Sequence, residues 1–460
     1  MNGTAPFVGI IGALLLTPLP ALHAADLGGV TVRLEGHQGP ATILAQPLGL
    51  SKVQVAVDPK TKTKTKTQPL VIRVELPSSG PRAWPAADVE VRDAQSQAVM
   101  VRRSGIEWSN LLIPVPAVAG VYFVQAVPPA SGKPSMPSDQ ERVLMDNAAG
   151  LSLSVAKWHD GRKAALSLRF DDSHPTHLTR AIPILREYGF RGTFMVNPGA
   201  DEPGSRRRSD FQAHHAEWEA VARAGDQEFA NHSAHHRGAT GDADMEAEIG
   251  AAAQAIWDLT PGRSKLLALN LGGGTQWETT HTLRYYLDKY HQFETSGSLG
   301  MDDVYGNRVA AFREHVEAHL ERGLWCRVHF HYIGAGLSSS ETNFRAALDI
   351  AKEHQSNLWI AGMADIYKYQ TQRNASKLTL RQSDFQRLTF QFTCLTDITL
   401  YDQPLTLEIA HPRSLDTSRI TVKDAQGKAI SLRAPGADGA PVLRFDVPPH
   451  DSVYSIEMTP

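Results

Sequence analysis

The sequence predicts an α/β chain, a distorted (β/α)7 barrel flanked by an N-terminal and a C-terminal β-sandwich. Residues 164–362 alternate short apolar strands with amphipathic helical stretches, which is typical of parallel sheets covered by helices. The stretches on either side instead alternate apolar and polar residues between Gly, Pro and Ser, which is typical of half-buried antiparallel strands. A length of 460 residues also exceeds one ordinary core, so several domains are expected.

Composition narrows the function classes. The chain has 46 basic and 49 acidic residues and a formal net charge of -3. This near balance lacks the basic surplus of nucleic-acid binders, so no nucleic-acid partner is predicted. The overall composition is that of an ordinary globular protein, which excludes collagen-like, disordered and disulfide-scaffold classes for most of the chain.

The N-terminal segment indicates export. Residues 5–22 form an apolar run, and residues 1–25 are predicted to be a secretory signal peptide. The alternative is an uncleaved anchor helix, but Pro18 and Pro20 lie late in the run and favour a signal. No other stretch reaches the roughly 20 apolar residues that a membrane span needs. The mature protein is therefore expected to be periplasmic or secreted, with no membrane span.

Residues 26–155 are predicted to form the N-terminal β-sandwich, of immunoglobulin-like size. Within it, residues 60–67 alternate Lys and Thr. This run is interpreted either as a ribbon for an anionic ligand or as a solvated edge strand whose lysines discourage pairing.

Residues 156–376 are predicted to form the barrel. Its strands are expected at 164–170, 192–198, 227–232, 265–271, 292–297, 325–331 and 357–362. These strand–helix units fall one short of an eight-stranded barrel, and the chemistry is expected where the strands end.

Residues 377–460 return to period-2 alternation and predict a second, smaller β-sandwich. The two cysteines, Cys326 and Cys394, are either a disulfide, which export permits, or two buried free thiols. Neither lies in a Cys spacing typical of metal sites.

The first chemical signal is the pair Asp171-Asp172, directly after the strand at 164–170. Two adjacent acids in a dry environment need opposite surroundings or a bound cation to relieve their repulsion. The alternative is an ordinary Asp-rich turn.

The second signal is the stretch from Asn231 to His236, again at a strand end. On one helical turn His232 and His236 would face the same side, a frequent metal-chelating arrangement. A solvated His-rich loop is the alternative.

The third signal closes the strand at 325–331. Alternation places His329 and His331 on one face, opposite Val328 and Phe330. The alternative for either histidine is a core residue bonded to a backbone carbonyl.

Together the three signals supply a carboxylate and two histidines that can bind a divalent ion. A second carboxylate and a further histidine remain for proton transfer. Zinc fits these donors, and cobalt, nickel, manganese and iron share them. Such an ion lowers the pKa of water and polarises a carbonyl. With a spare base and a spare acid, this is a complete set for hydrolysing an amide or an ester.

Segment 164–199 resembles the first motif of the polysaccharide deacetylase family (NodB-homology, carbohydrate esterase 4 type), a strand ending in T-F-D-D-G. Residues 232–236 resemble its second motif, H-S/T-x-x-H, and residues 358–370 resemble the end of such domains. The resemblance extends over roughly residues 160–373.

The resemblance implies a role for each matching residue. Asp171 would be the catalytic base, and His331 the general acid, with His329 as the runner-up. The metal ligands would be Asp172, His232 and His236.

The sequence also departs from the family pattern. Arg169 replaces Thr and Ser173 replaces Gly, and the expected Arg-containing third motif reads Leu-Asn-Leu-Gly-Gly-Gly at 269–274. Arg169 and Arg263 are candidates to replace the missing arginine. Further candidate ligands or lining residues are His174, His177, His235, Asn197 and Trp277.

The sequence and the resemblance together predict an exported metal-dependent hydrolase that removes acetyl groups from a polysaccharide or oligosaccharide. The N-acetyl group of a hexosamine is the leading target and an O-acetyl ester the second. Two alternatives are a cyclic amidase or deformylase acting on small molecules, and a glycan-binding protein that has lost catalysis. The sandwiches are either carbohydrate-binding modules or spacers.

Overall fold

A computed structural model gives the fold of most of the chain. It describes residues 29–35, 41–49, 51–59, 69–77, 84, 86–104, 109–127, 136–148, 150–200, 210–295, 297–334, 338–433 and 441–458. The predicted signal segment 1–25 and the Lys/Thr run at 60–67 lie outside these residues. No helix in the described part of the chain is long and apolar enough to cross a membrane.

The N-terminal domain is an antiparallel β-sandwich. Its strands are β1 (Thr31–Glu35), β2 (Ala41–Pro47), β3 (Lys52–Pro59), β4 (Leu70–Glu75), β5 (Val89–Asp93), β6 (Val101–Ser104), β7 (Asn110–Val115) and β8 (Gly120–Ala126). One sheet has the order β1-β4-β7-β6 and the other β2-β3-β8-β5. Burial alternates along β4, where Leu70, Ile72 and Val74 face the core between the sheets, as the period-2 pattern predicts.

Two further strands, β9 (Val143–Asp146) and β10 (Leu151–Val155), precede the central domain. The central domain then alternates strands and helices. Its first half contains β11 (Ala164–Phe170), α1 (Ile182–Tyr188), β12 (Gly192–Val196), α2 (Asp210–Ala213), α3 (His215–Ala224), β13 (Glu228–Asn231), β14 (Ala239–Thr240), α4 (Asp242–Glu246), α5 (Ala252–Leu259), β15 (Leu267–Leu269) and β16 (Trp277–Thr279). Its second half contains α6 (Leu283–Lys289), β17 (Gln292–Glu294), β18 (Leu299–Gly300), α7 (Arg308–Arg322), β19 (Trp325–Phe330), β20 (Tyr332–Ile333), β21 (Ser338–Ser339), α8 (Glu341–Glu353), β22 (Leu358–Ile360) and α9 (Met363–Asn374).

The central sheet is parallel and has the order β17-β15-β13-β12-β11-β19-β18, with β22 also paired to β11. Every predicted barrel strand is present, and β18 is an additional short strand. The predicted α/β barrel fold is confirmed, as a half-barrel whose end strands β17 and β18 do not pair in the described part of the chain. β11 lies at its centre, and all 7 of its residues are buried because both faces of the sheet are covered.

The C-terminal domain is a second β-sandwich, formed by β23 (Ser376–Ser383), β24 (Arg387–Cys394), β25 (Leu405–Ala410), β26 (Ile420–Lys423), β27 (Ala429–Ile430), β28 (Val442–Val447) and β29 (Ser452–Met458). Its sheets have the orders β28-β25-β10-β9 and β23-β24-β29-β26-β27. Cys394, on β24, and Cys326, on β19, are buried free thiols, the second of the two interpretations given above.

The sheet orders correct one predicted boundary. Residues 143–155 were predicted to belong to the N-terminal sandwich, but β9 and β10 complete a sheet of the C-terminal one, through the pairing of β10 with β25. The physical reason is that period-2 alternation shows that one face of a strand is buried without showing which sheet covers it.

The N-terminal sandwich and the barrel share a sheet. β6 pairs with β16, and β16 pairs with β14, so a sandwich sheet continues into two connections of the central domain. Arg103 on β6 is buried at this junction and donates to Thr279 Oγ1 at 2.8 Å and to the Val89 carbonyl at 3.2 Å. Burial lowers the pKa of Arg103 to about 10, which is still well above neutral pH, so the side chain remains a hydrogen-bonded cation.

Candidate metal centre

The predicted site residues lie at the carboxyl ends of neighbouring parallel strands. Asp171 and Asp172 follow β11, His232 follows β13, and His331 follows β19. Because these strands run parallel in one sheet, their carboxyl ends meet at one edge, as the sequence predicts.

The adjacent acids after β11 point to different partners. Asp172 has a φ of 79° and Ser173 one of 56°, so the chain turns through the left-handed region directly after Asp171. Asp171 Oδ2 accepts a hydrogen bond from Arg169 Nη2 at 2.8 Å. Asp172 Oδ1 instead faces the Nε2 atoms of His232 at 3.5 Å and of His236 at 3.6 Å. The expected repulsion is thus relieved by giving each carboxylate its own cationic or donor surroundings.

Asp172, His232 and His236 form a compact ligand set. One donor atom from each lies within 4.8 Å of the other two. His232 Nδ1 donates to the Asn270 carbonyl at 2.7 Å, so Nε2 is the nitrogen that faces Asp172 and, once it has lost its proton, would bind a metal. Burial raises the pKa of Asp172, but while no metal is bound the hydrogen bond from protonated His232 and the charges of His232 and His236 lower it by more, so the carboxylate is ionised. An ionised carboxylate beside two imidazole nitrogens fits a divalent transition metal.

The two histidines converge by a route that differs from the predicted helical turn. The chain after β13 is a loop in which Ser233 has a φ of 65° and His236 one of 54°. Asn231 Oδ1 accepts from the Ser233 amide at 2.8 Å, and Ser233 Oγ accepts from the His236 amide at 3.0 Å. These side-chain acceptors stabilise the turn that brings both rings to the metal centre.

The segment 269–274 supports His236. Gly272 has a φ of 76°, and a Cβ placed on it would lie 2.3 Å from His236 Nε2. Any larger residue would therefore be strained and would displace the ring. Where the resemblance led us to expect an arginine motif, this chain instead has a glycine turn against the second histidine ligand.

Of the two candidates for the missing arginine, Arg169 is the one that contacts Asp171. It is 5% exposed, Asp171 is 2% exposed, and the Arg169 Nη1 also donates to the Thr295 carbonyl at 3.3 Å. Burial raises the pKa of Asp171, but the charges of Arg169 and of nearby histidines lower it by more. The net pKa is below the ordinary value, so the carboxylate is ionised. Its Oδ1 has no hydrogen-bond partner among the described residues. Arg263, the other candidate, packs instead at Gly225, at the end of α3.

His331 and His329 differ in their ability to carry a proton. His331 Nδ1 lies 2.6 Å from Asp302 Oδ2, and this hydrogen bond, with the charges of Asp171 and Asp172, raises the pKa of His331. His329 Nδ1 bonds Ser298 Oγ, and burial together with the charge of Arg169 lowers its pKa to about 4. At neutral pH the imidazole that carries a proton most readily is therefore that of His331.

Asp302 is the site residue that sequence reasoning missed. It is 2% exposed, and it also accepts from the His331 amide at 3.2 Å. The available signal was the pair Asp302-Asp303 after a strand, but that strand, β18, has only 2 residues and gives no recognisable pattern.

The remaining candidates lie outside the ligand set. His235 binds Glu248, with its Nδ1 2.6 Å from Oε1, and His174 stacks on Tyr332. His177 is buried against the His331 carbonyl, and Trp277, the first residue of β16, is buried in an apolar cluster, so neither lines the centre. Asn197 donates to the carbonyls of His232 and Ser233, and so positions the histidine loop.

A polar cavity of about 570 Å³ opens beside His236. It lies where the N-terminal sandwich joins the barrel, since Arg102 on β6 forms part of its wall. Its lining residues are Arg102, His236, Arg237, Gly238, Ala239, Thr240, Gly273, Gly274, Thr275, Gln276 and Glu278.

Comparison with known proteins connects this geometry to a family. The chain is 24% identical over 296 residues to a gellan lyase from Bacillus sp, which covers 55% of this chain and 11% of that protein. The chain thus spans about a tenth of the length of this curated relative.

Solved structures that match this chain include a family 4 carbohydrate esterase from Streptomyces lividans, at 21% identity and a TM-score of 0.32, covering 44% of this chain and 94% of that one. A peptidoglycan deacetylase from Bacillus subtilis has 15% identity and a TM-score of 0.31, covering 46% and 94%. A mutant of a CE4 family pseudoenzyme with restored activity has 11% identity and a TM-score of 0.34, covering 49% and 91%.

A family model described as polysaccharide deacetylase matches residues 159–287. This range includes both acids after β11 and the loop at residues 232–236 after β13. These are the two motifs by which the sequence resembles the family. Residues 159–287 are therefore similar to the polysaccharide deacetylase family.

Proposed function

We propose that this protein is an exported, metal-dependent hydrolase that removes acetyl groups from a polysaccharide or oligosaccharide. The observation that carries the proposal is the convergence of Asp172, His232 and His236 between an ionised carboxylate, Asp171, and a protonatable imidazole, His331. The apolar run at 5–22 supports export, and the similarity to polysaccharide deacetylases supports an acetylated carbohydrate substrate.

The ligand set would hold a divalent ion, for which zinc fits the donors and cobalt, nickel, manganese and iron share them. When bound, such an ion acts as a Lewis acid toward a carbonyl and lowers the pKa of water. Asp172 supplies the one negative charge of the ligand set, and the Asn270 carbonyl fixes the tautomer of His232.

The two flanking residues divide the proton transfers. Asp171 is the general base, because Arg169 holds its Oδ2, while Oδ1, to which no described residue bonds, is left to accept a proton from the attacking water. His331 is the general acid, because Asp302 holds its Nδ1 and leaves Nε2 to donate to the departing amine or alkoxide. The N-acetyl group of a hexosamine is the leading target and an O-acetyl ester the second.

The test is acetate release by the purified chain lacking residues 1–25. The panel contains chitin oligomers, poly-N-acetylglucosamine, peptidoglycan, acetylxylan and, because of the gellan lyase relative, native gellan. Release that a chelator abolishes and added metal restores would support the proposal and identify the substrate class. No release from any glycan, with metal demonstrably bound, would contradict it.

The cavity beside His236 is proposed to hold the sugar next to the acetylated one. Arg102 at its wall is 44% exposed and pairs with Glu278 at 3.1 Å. We expect Arg102→Ala to raise KM for a polymeric substrate several-fold and leave kcat unchanged, since one hydrogen bond contributes about 0.5–1.5 kcal/mol.

A matched control is Arg33→Ala, because Arg33, on β1 at the far edge of the same sheet, forms a similar surface ion pair with Glu75 on β4. Steady-state kinetics on a graded series of oligomers measures both variants. An unchanged KM for Arg102→Ala at every chain length would contradict this placement of the sugar.

Replacing Asp302 with Asn is expected to shift the pH profile. The carboxylate raises the pKa of His331, so the acid form persists to higher pH in the wild type. In Asp302→Asn the pKa of His331 falls, and the alkaline limb of kcat should move down by about one unit or more. Asp303→Asn is the control, because Asp303 bonds the Ser340 amide and the Asn343 side chain. An alkaline limb that stays in place in Asp302→Asn would argue against His331 as the acid.

A further inference from the structure

A second group of metal-type side chains lies on the helix side of the sheet. α7 carries His315 and His319, which are four residues apart and therefore lie on one face of the helix. Gly323, with a φ of 65°, ends α7 in the left-handed conformation and reverses the chain into β19. This reversal brings Cys326, near the start of β19, beneath the last turns of the helix.

The three side chains present their donor atoms to one another. One donor atom from each of His315, His319 and Cys326 lies within 4.8 Å of the other two. The imidazole centroids are 4.1 Å apart and the rings are tilted by 55°. Cys326 is fully buried while both histidines are partly exposed, so an ion could enter from the solvent side of α7.

Both imidazoles are prepared to act as ligands. His319 Nδ1 donates to the His315 carbonyl at 2.6 Å, which leaves the lone pair on Nε2. His315 Nε2 is buried and has no hydrogen-bond partner among the described residues. Such an orphaned buried nitrogen is costly unless something binds it.

This cluster is separate from the catalytic one. Along β19, Cys326, Val328 and Phe330 are buried in the main apolar core, whereas the alternate residues include His329, on the other face of the strand. On β19, therefore, His329 lies on one face of the strand and Cys326 on the opposite face, which is packed in the apolar core. None of the three residues belongs to the proposed hydrolytic machinery.

We propose that His315, His319 and Cys326 form a second metal site, for an ion that accepts sulfur and nitrogen donors, Zn²⁺ foremost. Zn²⁺ binds the thiolate rather than the thiol, so Cys326 loses its proton to solvent as the Zn–S bond forms. The ion would join α7 to β19, the strand whose end carries His329 and His331. Its role would be structural, because binding to the folded state alone stabilises that state.

Cobalt(II) titration of the purified protein tests this site without reference to activity. The deacetylase ligands are oxygen and nitrogen atoms, so a near-ultraviolet thiolate-to-cobalt charge-transfer band reports only a cysteine ligand. The wild type is expected to bind two equivalents and to show this band. Asp172→Ala should lose one equivalent and keep the band, which separates this proposal from that of the catalytic centre.

Variants of the three proposed ligands should instead lose the charge-transfer band and keep the metal of the catalytic centre. His315→Gln and His319→Gln, at partly exposed positions, should lose the band and one equivalent, and should lose the rise in Tm that zinc gives the wild type. Cys326→Ser should behave in the same way, and His319→Gln serves in its place if that buried variant does not fold. Cys394→Ser is the control, because this other buried cysteine lies in the C-terminal sandwich, so the band should remain. No band in the wild type, or a band that His315→Gln and His319→Gln leave intact, would overturn the proposal.

Discussion

Replacing Asp172 with Ala is expected to abolish metal binding at the catalytic centre and, with it, acetate release. Asp172 is the only carboxylate of the ligand set, and its Oδ1 faces both histidine ligands. Loss of a residue that merely supports a ligand weakens metal binding about 10–100-fold, so loss of the ligand itself should cost at least that much. Metal content after dialysis and acetate release from the best glycan substrate measure the two effects together.

The control for this variant is Asp258→Ala, which removes an exposed carboxylate on α5. It should retain both metal and activity. If Asp172→Ala kept its full metal content, or released acetate at the wild-type rate, the assignment of the metal centre would be wrong.

Replacing Asp171 with Asn is expected to lower kcat by about 10²–10⁴-fold while the metal stays bound, because the amide cannot accept the proton of the attacking water. The amide oxygen can still accept the hydrogen bond from Arg169, so the local geometry is retained. The substitution leaves the charge of buried Arg169 without its partner, and breaking a buried ion pair in this way costs about 3–5 kcal/mol. Thermal unfolding should therefore be measured beside kcat and metal content.

The outcome separates the roles of the neighbouring acids. A folded Asp171→Asn variant that binds metal but is inactive would identify Asp171 as the base. A variant with kcat within a few-fold of the wild type would mean that another group accepts the proton.

The parts of the fold that could be predicted are those encoded locally. The strands of the central sheet are short apolar runs between helical patterns, and the acids after β11 and the histidines after β13 stand directly at their ends. Position in a parallel sheet then determines that these residues meet. The sequence therefore sufficed to bring Asp171, Asp172, His232 and His331 to one edge.

The rest depends on contacts between distant segments. The sequence left Arg169 and Arg263 as equal candidates for the missing arginine, because the choice depends on which guanidinium the fold brings to Asp171. Asp302 pairs with a histidine 29 residues away, after a strand too short to recognise. The partner sheet of β9 and β10 is likewise a long-range choice that alternation leaves open.

The sheet that runs from the N-terminal sandwich into β16 and β14 has a consequence for the evolution of this chain. Accessory domains that are joined by a flexible tether can be lost or exchanged by a single recombination event at the tether. Here an excision of the sandwich would leave the β16 edge without its partner, exposing unpaired backbone groups that invite aggregation. The sandwich and the barrel are therefore expected to be inherited together, as one unit, and to accept compensating changes across β6 and β16 rather than replacement of either.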